Sequence, residues 1–329
     1  MSVVGTGAYL PSMIVTNEDI VKKFETSDEW IKNKVGIIER RRASKDQATS
    51  DLAIPAIEEA LTNANLRAED LDLIICCRDV GDYSHPATAC LIQHRIKAKN
   101  AAAFDMQAGC SGFIFSTLTG ANFITSGHCQ YVAVVNVCLH SKYLNMESRW
   151  DATVFGDGAG AVILKPALLN AGILSSYLKS DGSDFDLLSK PGGGTRIPIT
   201  HEVLENKHLL YGKPDANRQR AVFSFAVDSF YDSIKFALNK ASLQVNDIDL
   251  VISHQANINI IKAGMERLGL PMEKTFTTIH KYGNCAEASI PITLHEAVKE
   301  KRIADKNIVA FTGFGAGLNW GAIIMRWDS

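Results

Sequence analysis

The chain has 329 residues, of which 46% are hydrophobic and 21% are charged, so it can bury a large core. Its formal net charge of −2 and its pI of about 6.5 exclude the strong basic bias of nucleic-acid-binding proteins and of proteins that bind anionic membranes. We therefore expect neither nucleic acid nor membrane among its partners.

The N-terminal residues 1–13 predict a strand and a turn, and they lack the basic region of a signal peptide. The seven cysteines show no disulfide framework and no CxxC pair, so we expect reduced thiols and no metal site. No apolar run approaches the ~18 residues of a membrane span. These features together predict a cytoplasmic protein.

Two windows of the chain, residues 56–77 and residues 233–254, repeat each other. They align without gaps at nine identical positions, and each predicts an amphipathic helix, a short loop and a buried strand. Further strand-like runs pair in the same order, 131–135 with 307–311 and 160–165 with 321–326. The repeat predicts an α/β protein of two similar halves, residues 1–170 and 171–329, with mostly parallel sheets covered by helices. A stretch with little periodicity predicts a loop-rich connecting insertion at about 171–221.

Cys110 lies in the run FDMQAGCSGF, where a strand-like stretch leads into small residues and a helical pattern begins at the cysteine. This layout predicts a thiol at a helix N-terminus. The exposed N–H groups and the helix dipole there stabilise a thiolate and lower its pKa. Because the thiolate is the nucleophile, Cys110 is the first candidate for a catalytic residue.

His254 and Asn284 are polar residues in apolar surroundings of the second half. His254 ends the repeated strand, and Asn284 lies in a small-residue loop that corresponds to the loop of Cys110. Ligands of α/β sheets gather beyond the carboxyl ends of the strands, so packing of the two halves is expected to bring the three residues together. The chain order Cys, His, Asn also fits a cysteine hydrolase, which stays open as an alternative.

Seven short motifs of this chain resemble, in the same order, those of the thiolase-like condensing enzymes, specifically the β-ketoacyl-acyl-carrier-protein synthase III family. They are GTGAYLP near the start, TSDEWI at 26–31, GCSGF at 109–113, FGDGAGA at 155–161, HQAN at 254–257, YGN at 282–284 and FGAGLNWG at 314–321. The resemblance covers essentially the whole chain. It implies a thiolase-like fold, with two duplicated α/β halves in a layered αβαβα arrangement, and a homodimer.

The resemblance also implies an activity. The enzyme would be an acyltransferase that catalyses decarboxylative Claisen condensation of an acyl primer, taken from acyl-CoA, with a malonyl thioester, the extender. The malonyl group would arrive on acyl carrier protein, the product would be a 3-oxoacyl thioester, and the pathway would be fatty-acid initiation or secondary-metabolite or cofactor biosynthesis. Coenzyme A thioesters would be substrates, and no cofactor would be bound permanently. Acyl transfer to oxygen or nitrogen without decarboxylation, by the same Cys–His site, is a second alternative.

Carried over by motif, Cys110 would be acylated, and His254 and Asn284 would hold the extender carbonyl and stabilise its enolate. The remaining site residues implied by the resemblance are Gly315, Ala316 and Gly317 in an oxyanion-hole loop, Trp30, Arg149 and Asn257 at coenzyme A, and His85, Phe223 and Glu287 in the primer pocket. His85 stands where many members have a phenylalanine, and Glu287 where a small residue is usual. These departures suggest a different or larger primer.

Overall fold

The computed structural model describes residues 1–211 and 216–328, and these ranges contain eleven strands and twelve α-helices. The strands are β1 (Ser2–Tyr9), β2 (Met13–Thr16), β3 (Glu39–Arg42), β4 (Leu73–Arg78), β5 (Ala102–Met106), β6 (Val132–Cys138), β7 (Gly158–Lys165), β8 (Gly172–Ser180), β9 (Leu250–Ser253), β10 (Ile308–Gly315) and β11 (Asn319–Arg326). The helices are α1 (Asn17–Val21), α2 (Asp28–Val35), α3 (Thr49–Ala64), α4 (Thr88–Arg95), α5 (Gly112–Thr125), α6 (Arg149–Val154), α7 (His201–Glu205), α8 (Lys207–Tyr211), α9 (Ala216–Lys240), α10 (Ile258–Leu268), α11 (Ile279–Tyr282) and α12 (Ser289–Lys299). Among these residues, no helix combines the length and the apolarity that a bilayer crossing requires.

The two larger sheets share one plan. The first has the strand order β1-β7-β6-β4-β5, in which β7 pairs antiparallel with β1 and β6, and β4 pairs parallel with β6 and β5. The second has the order β8-β11-β10-β9, in which β11 pairs antiparallel with β8 and β10, and β9 pairs parallel with β10. In the first sheet, β5 pairs parallel with β4 at the edge. At the equivalent edge of the second sheet, beside β9, there is only a single parallel bridge between Thr275 and Val251.

The helices form three layers around these sheets. The largest core cluster joins both sheets through Phe113 and Ile114 of α5 and Ile290 and Leu294 of α12, so these two helices lie between the sheets. Helix α5 carries no charged residue and is buried or half-buried along most of its length, as a helix between two sheets should be. Helices α3 and α4 cover the outer face of the first sheet, and α9 and α10 cover that of the second. The layered αβαβα fold expected from the resemblance is therefore present.

The repeated windows predict the matching elements, α3 with β4 and α9 with β9. The expectation of mostly parallel sheets is wrong, because half of the strand pairs in the first sheet and two of three in the second are antiparallel. Strands covered on both faces are apolar throughout, so their sequence does not indicate whether they pair parallel or antiparallel with a neighbour. The division into halves at residue 170 stays a prediction.

The segment predicted as a loop-rich insertion, 171–221, contains more regular structure than expected. Strand β8 pairs with β11 along eight positions, and α7, α8 and the first residues of α9 follow. Apart from Ala171 and Asn206, the irregular structure lies at 181–200, and residues 212–215 lie outside the described residues. Hydrogen bonds to a neighbouring strand stabilise β8, and such a partner cannot be read from the local sequence.

Arg40 shows how tightly the small β2–β3 pair is joined to the body of the protein. Its side chain is 0% exposed. The guanidinium donates to the carbonyls of Thr153 and Val15 and to Oδ1 of Asn17, over 2.7–3.2 Å. Burial lowers the pKa of Arg40 to about 10, which leaves the group charged at neutral pH. Arg40 is therefore a structural residue.

We expect Arg40→Met to destabilise the fold by about 3–5 kcal/mol, because it leaves several buried acceptors without a donor. Urea unfolding monitored by circular dichroism measures this change. The matched control is Arg67→Met, since the Arg67 side chain is 76% exposed and its ion pairs are worth little. Equal destabilisation by the two variants would contradict the role given to Arg40.

Candidate active site

Cys110 sits in a 3₁₀ turn, Gly109–Ser111, between the end of β5 and the start of α5. Gly109 has a φ of +53°, and a Cβ there would lie 3.1 Å from the carbonyl oxygen of Ala316. The left-handed backbone therefore favours glycine, and a side chain there would also press on the Ala316 carbonyl. The predicted strand, small-residue loop and helix are all present, and the cysteine is half-buried at the junction.

The electrostatic surroundings of Cys110 differ from the expectation. Burial, with the carboxyl groups of Asp79 and Glu287 nearby, raises the pKa of the Cys110 thiol well above its ordinary value. The sequence pattern indicates the helix N-terminus, but it does not show that two acidic side chains from distant parts of the chain come close. The resting enzyme therefore carries a thiol rather than a thiolate at neutral pH.

A raised thiol pKa predicts a specific pH profile for alkylation. Between about pH 7 and about pH 9, the rate of inactivation by iodoacetamide should rise about tenfold per pH unit, since only the thiolate reacts. Intact-protein mass spectrometry at timed intervals, with digestion to locate the label at Cys110, measures this rate. A plateau below about pH 8 would show that the helix N-terminus outweighs burial and the two carboxyl groups.

His254 follows β9 directly and is 2% exposed. Its backbone N–H donates to the carbonyl of Thr312 at 2.9 Å, and its ring packs edge-on against Phe314. Burial, with a contribution from His140, lowers the pKa of His254 to about 3, so the imidazole is neutral in the physiological range. A neutral imidazole has one N–H donor and one acceptor nitrogen.

Ser289, the first residue of α12, holds the His254 ring. Its Oγ lies 2.7 Å from Nδ1 of His254 and 2.8 Å from the carbonyl of Ala286. The hydroxyl has a single hydrogen, so its direction sets the tautomer of His254. If it donates to Ala286, it accepts from Nδ1–H and Nε2 is an acceptor; if it donates to Nδ1, the neutral imidazole carries its proton on Nε2, which is then a donor. Sequence reasoning missed Ser289, although a hydroxyl at the start of a helix near the YGN motif was a usable signal.

Asn284 lies between α11 and the 3₁₀ turn Ala286–Ala288 and is 6% exposed. Its backbone N–H donates to Val154 and its carbonyl accepts from Gly156, so the loop is joined to the first half of the chain. Oδ1 of the side chain accepts the N–H of Ala286 at 2.8 Å. The amide group therefore has its NH₂ as the free donor.

The loop of Gly315, Ala316 and Gly317 packs on the cysteine. A Cβ on Gly315 would lie 2.8 Å from both the Cβ and the backbone nitrogen of Cys110. Strand β10 leads into this loop, and its Thr312 also holds His254. Cys110 in turn packs against the cluster that contains Cys285 and Ala286, next to Asn284. The structure thus gathers the predicted catalytic residues and the loop at one place.

The residues predicted to contact coenzyme A form a separate surface group. The guanidinium of Arg149 lies 5.4 Å from the centre of the Trp30 ring, which is 38% exposed beside a cleft of about 390 Å³. Asn257 caps α10 with its Oδ1 and donates from Nδ2 to the carbonyl of Lys34, in the helix of Trp30. Both ends of its amide are thus already bonded within the protein.

The three primer-pocket candidates lie in different surroundings. His85 is exposed and precedes Pro86 in a loop, and Phe223 is 39% exposed on α9. Glu287 is completely buried in the turn after Asn284. Only Glu287 is brought to the catalytic residues within this chain, and the roles of the other two stay predictions.

Two residues of this region were missed by sequence reasoning, Asp79 and His140. Asp79 follows β4 and His140 follows β6, so each lies just beyond the carboxyl end of a parallel strand. The rule that singled out His254 would also have found them. Together with Glu287 they place three potential ligand atoms within 4.8 Å of one another, although no metal site was predicted.

Two family models match the chain: 3-oxoacyl-[acyl-carrier-protein] synthase III at residues 104–182 and its C-terminal region at residues 238–327. A β-ketoacyl-[acyl-carrier-protein] synthase III of Caldanaerobacter subterraneus is 42% identical, covering 99% of this chain and 97% of that protein. A β-ketoacyl-[acyl-carrier-protein] synthase III of Listeria monocytogenes is 43% identical, covering 99% of this chain and 98% of that protein. The crystal structure of the Aquifex aeolicus 3-oxoacyl-[acyl-carrier-protein] synthase III superposes with a TM-score of 0.90 at 39% identity, covering 99% of each chain.

Proposed function

This chain belongs to the 3-oxoacyl-[acyl-carrier-protein] synthase III family, and we propose that Cys110, His254 and Asn284 carry out its reaction. The enzyme is a condensing acyltransferase that joins an acyl primer to a malonyl unit with loss of carbon dioxide. The cysteine hydrolase and the transferase to oxygen or nitrogen are not favoured, because the relatives are condensing enzymes by name. The observation that carries the proposal is the packing of the Gly315 loop and the Asn284 loop around Cys110.

In the first half-reaction, the sulfur of Cys110 attacks the thioester carbonyl of the primer. Coenzyme A leaves as its thiolate and takes up a proton, and the acyl group remains on the cysteine. The backbone N–H groups of Cys110 and of the Gly315, Ala316 and Gly317 loop would hold the oxyanion of the tetrahedral intermediate. Because the resting thiol has a raised pKa, its proton must leave as the acyl group arrives.

In the second half-reaction, the bond between the malonyl carboxylate and its α-carbon breaks, and carbon dioxide leaves. The electron pair becomes an enolate whose oxygen receives hydrogen bonds from His254 Nε2 and the NH₂ of Asn284. The enolate carbon then attacks the acyl carbonyl, and the Cys110 sulfur leaves as a thiolate that takes up one proton from solvent to restore the thiol. A neutral imidazole suits this role because it donates without adding a charge that the dry site would have to hold.

The partners are part of the same proposal. Acyl-CoA supplies the primer at Trp30, Arg149 and Asn257, acyl carrier protein delivers the malonyl group, and no cofactor is held permanently. A cytoplasmic homodimer is the working form. Membership of the family supports each of these assignments, and the Trp30–Arg149 pair beside its cleft supports the binding of a planar adenine.

Reconstitution tests the activity. The purified enzyme is given a panel of acyl-CoAs with malonyl-acyl-carrier-protein or malonyl-CoA, and products and carbon dioxide are measured together. The expected result is a 3-oxoacyl product with one carbon dioxide released per product. Release of the free acid from acyl-CoA without consumption of the malonyl thioester would instead identify a hydrolase. Acyl transfer without release of carbon dioxide would identify a non-decarboxylating transferase.

Replacing Trp30 by alanine should remove the binding energy that stacking of the adenine contributes to acyl-CoA. Base stacking on an aromatic ring is worth about 1–3 kcal/mol, so the preference for acyl-CoA over acyl-pantetheine should fall about tenfold. The comparison of kcat/KM for these two primers, with the variant and the unmodified enzyme, measures the effect. An unchanged preference would remove Trp30 from the coenzyme A site.

A further inference from the structure

A buried polar cluster of Asp79, His140 and Glu287 lies beside the catalytic residues and has no part in the mechanism above. The backbone N–H of Asp79 donates to Oε1 of Glu287 at 2.8 Å. Nε2 of His140 lies 3.1 Å from Oδ2 of Asp79. The side chain of His140 is 6% exposed and that of Asp79 is 19% exposed, while Glu287 is completely buried. Arg78, which precedes Asp79 in the chain, is paired with Asp105.

Two buried atoms of this cluster have no hydrogen-bond partner among the residues that the structure describes, Oε2 of Glu287 and Nδ1 of His140. A carboxylate only accepts, so Nε2 of His140 carries the proton toward Asp79, and Nδ1 of that ring is an acceptor when it holds no proton of its own. Oε2 of Glu287 is an acceptor when a cation beside it keeps the carboxyl group ionised. In those states the two atoms are unused acceptors beside two carboxyl groups, and no lysine or arginine side chain among the described residues bonds to the cluster.

The cluster adjoins both catalytic residues. A Cβ on Gly112, two residues after Cys110, would lie 3.1 Å from the Cβ of Glu287. His140 contributes to the lowered pKa of His254, and Asp79 and Glu287 contribute to the raised pKa of Cys110. Burial and Asp79 also raise the pKa of Glu287, so the pair holds a proton when no cation is beside it. An acyl group on the Cys110 sulfur can bring such a cation to this region.

We propose that Asp79, His140 and Glu287 form a subsite that selects an acyl primer bearing a protonated amine. The inference rests on the proposed function, since it concerns the group that Cys110 accepts. An ammonium group supplies three N–H donors and one positive charge, which match the unused acceptors and the two carboxyl groups. A primer that ends in methyl leaves those acceptors unpaired, and one that ends in carboxylate brings a further acidic group to the cluster.

Primers matched in size and different in their terminal group test this selection. The panel is β-alanyl-CoA, butyryl-CoA, 3-hydroxypropionyl-CoA and succinyl-CoA, with 6-aminohexanoyl-CoA and heptanoyl-CoA as a longer pair. The readout is kcat/KM for acylation of Cys110 by intact-protein mass spectrometry. We expect at least one amine primer to exceed its methyl counterpart by about tenfold or more. Glu287→Gln keeps the size and the acceptor for the Asp79 N–H, and it should reduce that ratio about tenfold.

The control variant is Glu266→Gln, an exposed change on α10 that should leave the ratio unaltered. Preference for the methyl, hydroxyl or carboxylate primers would overturn the selection while leaving the condensing activity intact. One equivalent of zinc or manganese in the purified protein, measured by elemental analysis, would overturn it in favour of a metal ion. Absence of any adduct on Cys110 would count against the proposed function itself. If Glu287→Gln does not fold, the kcat/KM values of the amine and methyl primers with the unmodified enzyme still test whether the enzyme selects an amine.

Discussion

Cys110→Ala is expected to abolish transfer of the primer, with a loss of at least about 10⁴-fold in condensation rate. The structure gives the reason: the loops of Gly315 and of Asn284 pack around this one sulfur, so no other group receives the same setting. Incubation with acyl-CoA followed by intact-protein mass spectrometry should show one acyl adduct in the unmodified enzyme and none in the variant.

Cys90→Ala is the matched control for this experiment, because Cys90 is an exposed cysteine and its loss should not change the adduct. The buried thiol of Cys285 is the strongest alternative nucleophile, since it lies beside Asn284. An adduct that persists in Cys110→Ala and maps to Cys285 would overturn the assignment of the nucleophile. Burial raises the pKa of Cys285 beyond the range in which a thiol ionises readily, so we do not expect this result.

The sequence predicts the fold further than it predicts the pairing of strands. The repeated windows 56–77 and 233–254 identify the two equivalent helix–strand units, because amphipathic periodicity is a local property. The sequence does not predict that β7 and β11 pair antiparallel with their neighbours, nor that residues 172–180 form a strand. Both features depend on which strand lies alongside in the sheet. Apolar strands buried on both faces give no local sign of that neighbour.

The site shows the same limit. Motifs and strand ends lead to Cys110, His254 and Asn284, and the local sequence places Cys110 at a helix start. The pKa of its thiol is nonetheless raised by burial and then by Asp79 and Glu287, which are separated by more than two hundred positions in the sequence. Electrostatic effects of this kind sum over neighbours in space, so no local pattern predicts their sign.

His254→Ala and Asn284→Ala should separate the two half-reactions. Each variant is expected to form the acyl adduct on Cys110 and to lose about 10²–10³-fold in decarboxylation and condensation, because each removes one donor to the enolate oxygen. Release of carbon dioxide from the malonyl thioester, measured on enzyme that is already acylated, isolates the second half-reaction. The two losses should not add in the double variant, since both donors act on one oxygen.

Asn284→Asp tests the donor more directly than alanine does. It keeps an acceptor for the N–H of Ala286, which Oδ1 of Asn284 now binds, and it replaces only the NH₂. A carboxylate has no hydrogen to donate and repels the enolate, so the variant should be at least as slow as Asn284→Ala. Asn246→Ala and His94→Ala, both at exposed positions, are the controls for the two residue types. Full condensation in Asn284→Asp would mean that the Asn284 amide holds its loop in place and that His254 alone stabilises the enolate.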